Sequence, residues 1–165
     1  MLWPDGTTSA SIRSLWDELE AAGVPTLATA THRRHVPHLS LVVADDLPVT
    51  ETLAAVHRVP AAPIELRLAS AGVFPGGVLY LAPAASETLI AEHHRVHVAT
   101  AGVEGGAWPH YEPGTWTPHV TVATDLDAGQ LAVALTLVAR RLPLEGRLDR
   151  GGVEDGSTGE RWPAG

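Results

Sequence analysis

Pro37-His38-Leu39-Ser40-Leu41 and Pro118-His119-Val120-Thr121-Val122 are one pattern written twice, 81 residues apart. Each copy places a histidine and a hydroxyl two residues apart among apolar neighbours. In an extended strand successive side chains point to opposite faces. His38 and Ser40 then share one face, as do His119 and Thr121. Leu39, Leu41, Val120 and Val122 face the other way, toward a core. Strands are therefore expected over Leu39–Val43 and Val120–Val122.

The duplication extends outward from the motifs. Leu2-Trp3-Pro4 matches Leu81-Ala82-Pro83, and Ala22-Gly23-Val24 matches Ala101-Gly102-Val103, both at an offset of 79. Arg67-Leu68 and Gly72-Val73 match Arg147-Leu148 and Gly152-Val153 at an offset of 80. Four matches in one order with nearly constant offset indicate two repeats, about 1–75 and 78–155.

Each repeat reads alike. A short apolar segment ends in proline (Leu2–Pro4; Val78–Pro83), and a Ser/Thr-rich start opens an amphipathic helix (Ser9–Ala22; Ser86–Thr100). Ser and Thr satisfy the free N–H groups of a first turn. Ile12, Leu15, Trp16 and Leu19 recur at three- and four-residue spacing as a core stripe. Gly23 and Gly102 stand where a helix stops. After the His motif comes a second helix (Glu51–Arg58; Ala128–Arg141), then a closing strand (Ile64–Ala69; Arg147–Val153). Two βαβαβ-like halves about a pseudo-two-fold axis would bring the His strands to one central cleft. Residues 1–155 make one such domain, and the Gly-rich, polar stretch 156–165 reads as a loose tail.

The chain has 165 residues, 11 basic against 19 acidic, and every basic residue is Arg. A net charge of −8 without Lys disfavours long, sequence-independent nucleic-acid binding, which needs many phosphate contacts. The absence of Cys removes disulfides, thiolate metal sites and Cys nucleophiles. No apolar run approaches the roughly 18 residues of a membrane span, and the first residues lack the pattern of a signal peptide. A cytoplasmic, monomeric protein that touches no membrane is the expectation.

Cleaving a phosphodiester in line needs a base on one side and an acid on the other. Histidine, with a pKa of about 6.5, serves both roles. Hydroxyl donors stabilise charge developing on the phosphoryl oxygens. A hydroxyl two residues beyond a strand histidine lies roughly 7 Å further along the same face. Two copies supply two imidazoles, His38 and His119, and two hydroxyls, Ser40 and Thr121, with no metal or cofactor required. His-x-Ser/Thr alone is a trivial pattern; its recurrence after Pro at equivalent repeat positions carries the functional reading. The rival is a binding module that holds a nucleotide phosphate in the same cleft without turnover. Arg or Lys would serve plain binding better than paired histidines.

With Trp116-Thr117 ahead of the second motif, and Gly72-Val73-Phe74-Pro75 followed by Val78-Leu79-Tyr80-Leu81 between the halves, the chain resembles the two-histidine (2H) phosphoesterase superfamily. Within it, the chain is similar to the bacterial 2′-5′ RNA ligase or RNA 2′,3′-cyclic phosphodiesterase branch. The resemblance runs from about residue 2 to 153. It implies a bilobal α+β fold, with concave, largely antiparallel sheets lining the cleft and helices outside. It also implies metal-independent cleavage of a cyclic 2′,3′-type or 2′-5′ nucleotide phosphodiester. His38 and His119 would be the catalytic pair, with His38 leaning to acid and His119 to base, and Ser40 and Thr121 would hold the phosphate. Two departures stand out. Ser40 replaces the commoner Thr, and Ala123-Thr124-Asp125 follows the second motif where many relatives carry a basic residue. The expected partner is a nucleotide-sized phosphodiester or a short RNA end.

Further candidates flank the motifs. Arg33 and Arg34 lie in the loop before the first, and Arg67 and Arg147 occupy equivalent positions on the closing strands. Any of them could contact phosphate or remain a solvated charge. Phe74, Tyr111 and Trp116 could stack on a base or simply pack. His93 and His97 have the i, i+4 spacing of zinc ligands, but no third ligand accompanies them and no metal site is expected.

Overall fold

The computed structural model describes residues 1–84, 86–103 and 107–165. The chain runs β1 (Leu2–Pro4), α1 (Gly6–Ala21), α2 (Val49–Val56), β2 (Ile64–Phe74), β3 (Val78–Pro83), α3 (Glu87–Thr100), a single 3-10 turn (Pro109–Tyr111), β4 (Val120–Ala123), α4 (Ala128–Arg141), β5 (Leu144–Glu154) and β6 (Arg161–Pro163). The strands form an antiparallel sheet in the order β1-β5-β2-β3-β4, with β6 on β5. The fold is α+β.

This order carries the duplication into space. Leu39 bridges to Leu2 on β1, so the row is Leu39-β1-β5-β2-β3-β4. Exchanging every element for its repeat partner (Leu39 with β4, β1 with β3, β2 with β5) reverses the row onto itself. The helices obey the same exchange, α1 packing on α4 and α2 on α3.

The helices begin at side-chain caps. Asp5 accepts from the Thr8 N–H, Ser86 from Leu89, and Asp127 forms a capping box with Gln130. The first helix thus starts at Gly6, ahead of the expected Ser9, because Asp5 rather than a serine satisfies its first turn. Gly23 adopts φ 80° just past α1, the left-handed conformation a helix end favours. Ile12, Leu15, Trp16 and Leu19 are buried as the periodicity predicts, against a core that includes Leu2, Leu39, Leu68, Leu81, Val120 and Leu148.

Two local expectations are corrected. The strand over Leu39–Val43 reduces to the single Leu39–Leu2 bridge, closed by two backbone hydrogen bonds of 2.8 and 2.9 Å. In that antiparallel register Leu39 faces Leu2, the first residue of β1, so Leu41–Val43 run past the end of that strand. The stretch 156–165, read as a loose tail, carries β6. It pairs Gly152–Glu154 with Arg161–Pro163, so the edge of β5 holds what composition left free.

Candidate active site

Both motif histidines are anchored in the same way. The Nδ1–H of His38 donates to the carbonyl of Val36 at 2.9 Å, and that of His119 to the carbonyl of Thr117 at 2.7 Å. Each acceptor lies two residues upstream. The bond fixes the ring and its tautomer and leaves Nε2 as the nitrogen that gains and loses a proton. Both imidazoles are half-buried. Burial pushes the pKa of His38 down to about 4, with the charge of His119 a further, smaller cause. Burial also lowers His119, by less than it lowers His38. The charge of His110 is a further, smaller cause at His119.

The hydroxyls follow their histidines. Ser40 is buried at 9 % exposure, and Thr121 stands on β4 opposite Tyr80 of β3. A cavity of about 750 Å³ opens beside the first motif, walled by His35, His38, Ser40, Asp45, Trp108 and Trp162 among others. His119 and Thr121 do not line it. The second motif joins the first through the segment 108–119. The Trp116 indole N–H donates to the Ser40 carbonyl at 3.1 Å. The Tyr111 ring lies 6.4 Å from that of His119.

Phe74 also belongs here. It stacks on Tyr80 at 4.1 Å and meets His119 edge-on at 5.0 Å. Gly72 permits this, because a Cβ there would collide with the Tyr80 ring. Phe74, Tyr111 and Trp116 thus reach the motifs, with their faces largely engaged by protein.

The arginines do not converge on the cavity. Arg67 pairs with Glu145 at 3.1 Å and Arg147 with Glu65 at 2.8 Å, all four exposed, across the β2–β5 ladder. Each has a carboxylate opposite. Arg34 is exposed and reaches the Thr158 carbonyl at 3.4 Å, while its own carbonyl accepts from Arg161. It serves the loop-to-tail contact. Arg33 is likewise exposed, with φ 56° in that loop.

His93 is the residue whose role sequence reasoning missed. It is 2 % exposed. Its Nε2–H donates to the Tyr111 carbonyl at 2.9 Å, and its ring lies parallel to Trp116 at 4.0 Å. His97 instead meets Glu112 at 3.1 Å. Among the described residues no three His, Asp or Glu converge on a metal position. The available signal was periodicity: Leu89, His93, Val96 and Thr100 share the buried stripe of α3, which makes His93 a core residue with a polar edge.

Among the described residues no helix is long and apolar enough to cross a membrane. A search of curated proteins gives no match. The model of one family does match, from residue 7 to residue 154, nearly the length of the chain. With two His-x-Ser/Thr motifs at equivalent ends of a self-reversing sheet, that match shows that the chain belongs to the 2′-5′ RNA ligase superfamily, in keeping with the two-histidine phosphoesterases.

Proposed function

We propose that this protein is a metal-independent phosphodiesterase that hydrolyses a cyclic 2′,3′-type or 2′-5′ nucleotide or RNA-end phosphodiester. His38 and His119 exchange protons with the bridging oxygens, and Ser40 and Thr121 donate to the non-bridging ones. The supporting observation is the shared anchoring of the two imidazoles. Each Nδ1–H is spent on a backbone carbonyl, so each Nε2 is free for the reaction.

The pKa order favours an assignment of roles. In-line hydrolysis needs the base neutral and the acid protonated at once. That microstate dominates only when the base has the lower pKa of the two. His38, the more depressed, fits the base that takes a proton from water. His119 fits the acid that returns a proton to the leaving oxygen. This reverses the leaning that the family resemblance suggested. Incoming phosphate raises both pKa values, which helps His119 hold its proton in the complex.

The test is turnover of nucleoside 2′,3′-cyclic phosphates and 2′-5′ dinucleotides in the presence of a chelator, with products identified. Hydrolysis that survives chelation supports the reading. An absence of turnover across the panel, or activity that returns only with added metal, would count against it.

A further inference from the structure

The wall of the cavity beyond His38 has a charge pattern that the phosphate chemistry does not use. Asp45, Asp46, Glu154 and Asp155 line it, and among the described residues no arginine does. Glu154 is partly offset by Arg161 at 3.5 Å. Asp155 is not: hydrogen bonds from Ser157 and Thr158 hold its pKa down to about 2. It stays ionised throughout the physiological range. Asp45 and Asp46 are exposed at the rim.

An aromatic surface stands on the same wall. Trp108 lines the cavity while 39 % exposed. It is held in place, not loose. Its indole N–H donates to Asp45 Oδ1 at 3.0 Å, and its backbone N–H to the Val43 carbonyl at 2.8 Å. Phe74, Tyr111 and Trp116 already pack on other rings or are buried; Trp108 and Trp162 are the aromatic side chains on the cavity wall, and Trp108 stands beside Asp45 at the rim. Val42, Val56 and Val96 add apolar wall.

We infer that this cavity takes the nucleoside of a substrate with a single phosphate, its base against Trp108, and that the carboxylates exclude a second phosphate. The inference rests on the proposed phosphodiesterase reading, which puts the reacting phosphate at His38 and Ser40. With the phosphate there, the rest of the ligand extends into the cavity. A neutral nucleoside offers hydroxyl and amino donors that carboxylates accept. An additional terminal phosphate brings about −1.5 to −2 charges toward three or four fixed negative ones. Like charges set face to face discriminate strongly between partners. The substrate class is therefore a mononucleotide-like cyclic phosphodiester, not a chain whose next phosphate passes through the cavity.

Equilibrium binding by calorimetry tests this with adenosine 3′-monophosphate and adenosine 3′,5′-bisphosphate on the full chain. The monophosphate is expected to bind at least about fivefold tighter at low salt, the gap narrowing near 0.15 M salt as screening sets in. Replacing both Asp45→Asn and Asp46→Asn should bring the ratio toward one by improving the bisphosphate. The Asp45→Asn change keeps a side-chain oxygen for the Trp108 N–H, so the wall is retained. Trp108→Leu should weaken both ligands by about 5- to 100-fold, as loss of a stacking partner does, and Trp108→Phe should recover most of that loss. Equal or tighter bisphosphate binding, an unchanged ratio in the double asparagine variant, wild-type affinity in Trp108→Leu, or no binding of either ligand would each overturn the inference. Turnover of cyclic phosphates is scored separately. Binding in the expected order without any hydrolysis would sink the phosphodiesterase reading alone. Hydrolysis with the wrong binding order would sink the charge filter alone.

Discussion

Leu66 on β2 stands directly opposite Gly146 on β5, and the two are equivalent positions of the repeat. The pseudo-two-fold axis of the sheet passes through this pair. Every other pair in the ladder is then duplicated: Arg67 faces Glu145, and Glu65 faces Arg147. The pair itself is unequal. Leu66 is 3 % exposed and fills core, whereas a Cβ on Gly146 would meet Asp5 Oδ2 at 2.6 Å and collide with Thr8. Those two residues cap α1.

Gly146→Ala is therefore expected to destabilise the fold by about 1–3 kcal/mol, the usual cost of forcing a methyl into packed surroundings. Thermal unfolding would report it. Gly146 is not in the left-handed region, so the penalty is steric. Relieving the contact with Thr8→Ala in the same chain should recover part of it. Unaltered stability of Gly146→Ala would show that the cap simply moves aside.

The duplicated ion pairs make a second prediction. All four side chains of Arg67–Glu145 and Arg147–Glu65 are more than half exposed, and exposed pairs contribute about 0–1 kcal/mol each. Arg67→Ala and Arg147→Ala should change stability by no more than that and leave kcat/KM for a cyclic phosphate unchanged. A tenfold or greater rise in KM would return these arginines to the phosphate site.

His93 supports the third. It joins α3 to Tyr111 and Trp116, and Trp116 reaches the Ser40 carbonyl. His93→Ala removes a buried hydrogen bond and a stacked ring, and should cost about 2–4 kcal/mol in stability. Because it acts through the position of Ser40, kcat/KM should fall by roughly 10- to 100-fold, as small misplacements of a site do. Both limbs of the pH profile should remain. His93→Gln keeps an N–H for the Tyr111 carbonyl and should recover part of the activity. An equal stability loss in His93→Ala with full activity would make the residue a core histidine and no more.

The motifs, the repeat and the helix faces were legible because each rests on local periodicity. What escaped depended on register and on long-range partners. The repeat makes Arg67 and Arg147 equivalent, but only the pairing of β2 with β5 reveals that each faces a glutamate. The first motif lost most of its strand because Leu39 pairs with the first residue of β1 and the chain beyond runs past that strand's end, a register that no single segment discloses. Residues 161–163 follow a Gly-rich stretch that reads as loop, and the strand exists because β5 offers an edge. His93 shares zinc-like spacing with His97. Its true partners, Tyr111 and Trp116, lie about twenty residues away and meet it only in the fold.

The last prediction concerns protons. The base must be neutral and the acid protonated, so kcat/KM should be bell-shaped in pH. With His38 as base, the acid limb follows its deprotonation, near pH 4 in the free enzyme. With His119 as acid, the alkaline limb follows loss of its proton, below the ordinary 6.5 because burial lowers it. The optimum should therefore lie on the acid side of neutrality. His38→Ala should abolish the acid limb and His119→Ala the alkaline limb, each with a loss of about 10²–10⁴-fold. The double variant should lose far less than the product of the two, because groups that act as a unit are not additive. Ser40→Ala and Thr121→Ala should keep both limbs while losing up to about 10³-fold, the worth of one donor to developing charge. Should His38→Ala instead remove the alkaline limb, the roles are exchanged. Should either histidine be dispensable with the bell intact, paired proton transfer is not how this site works.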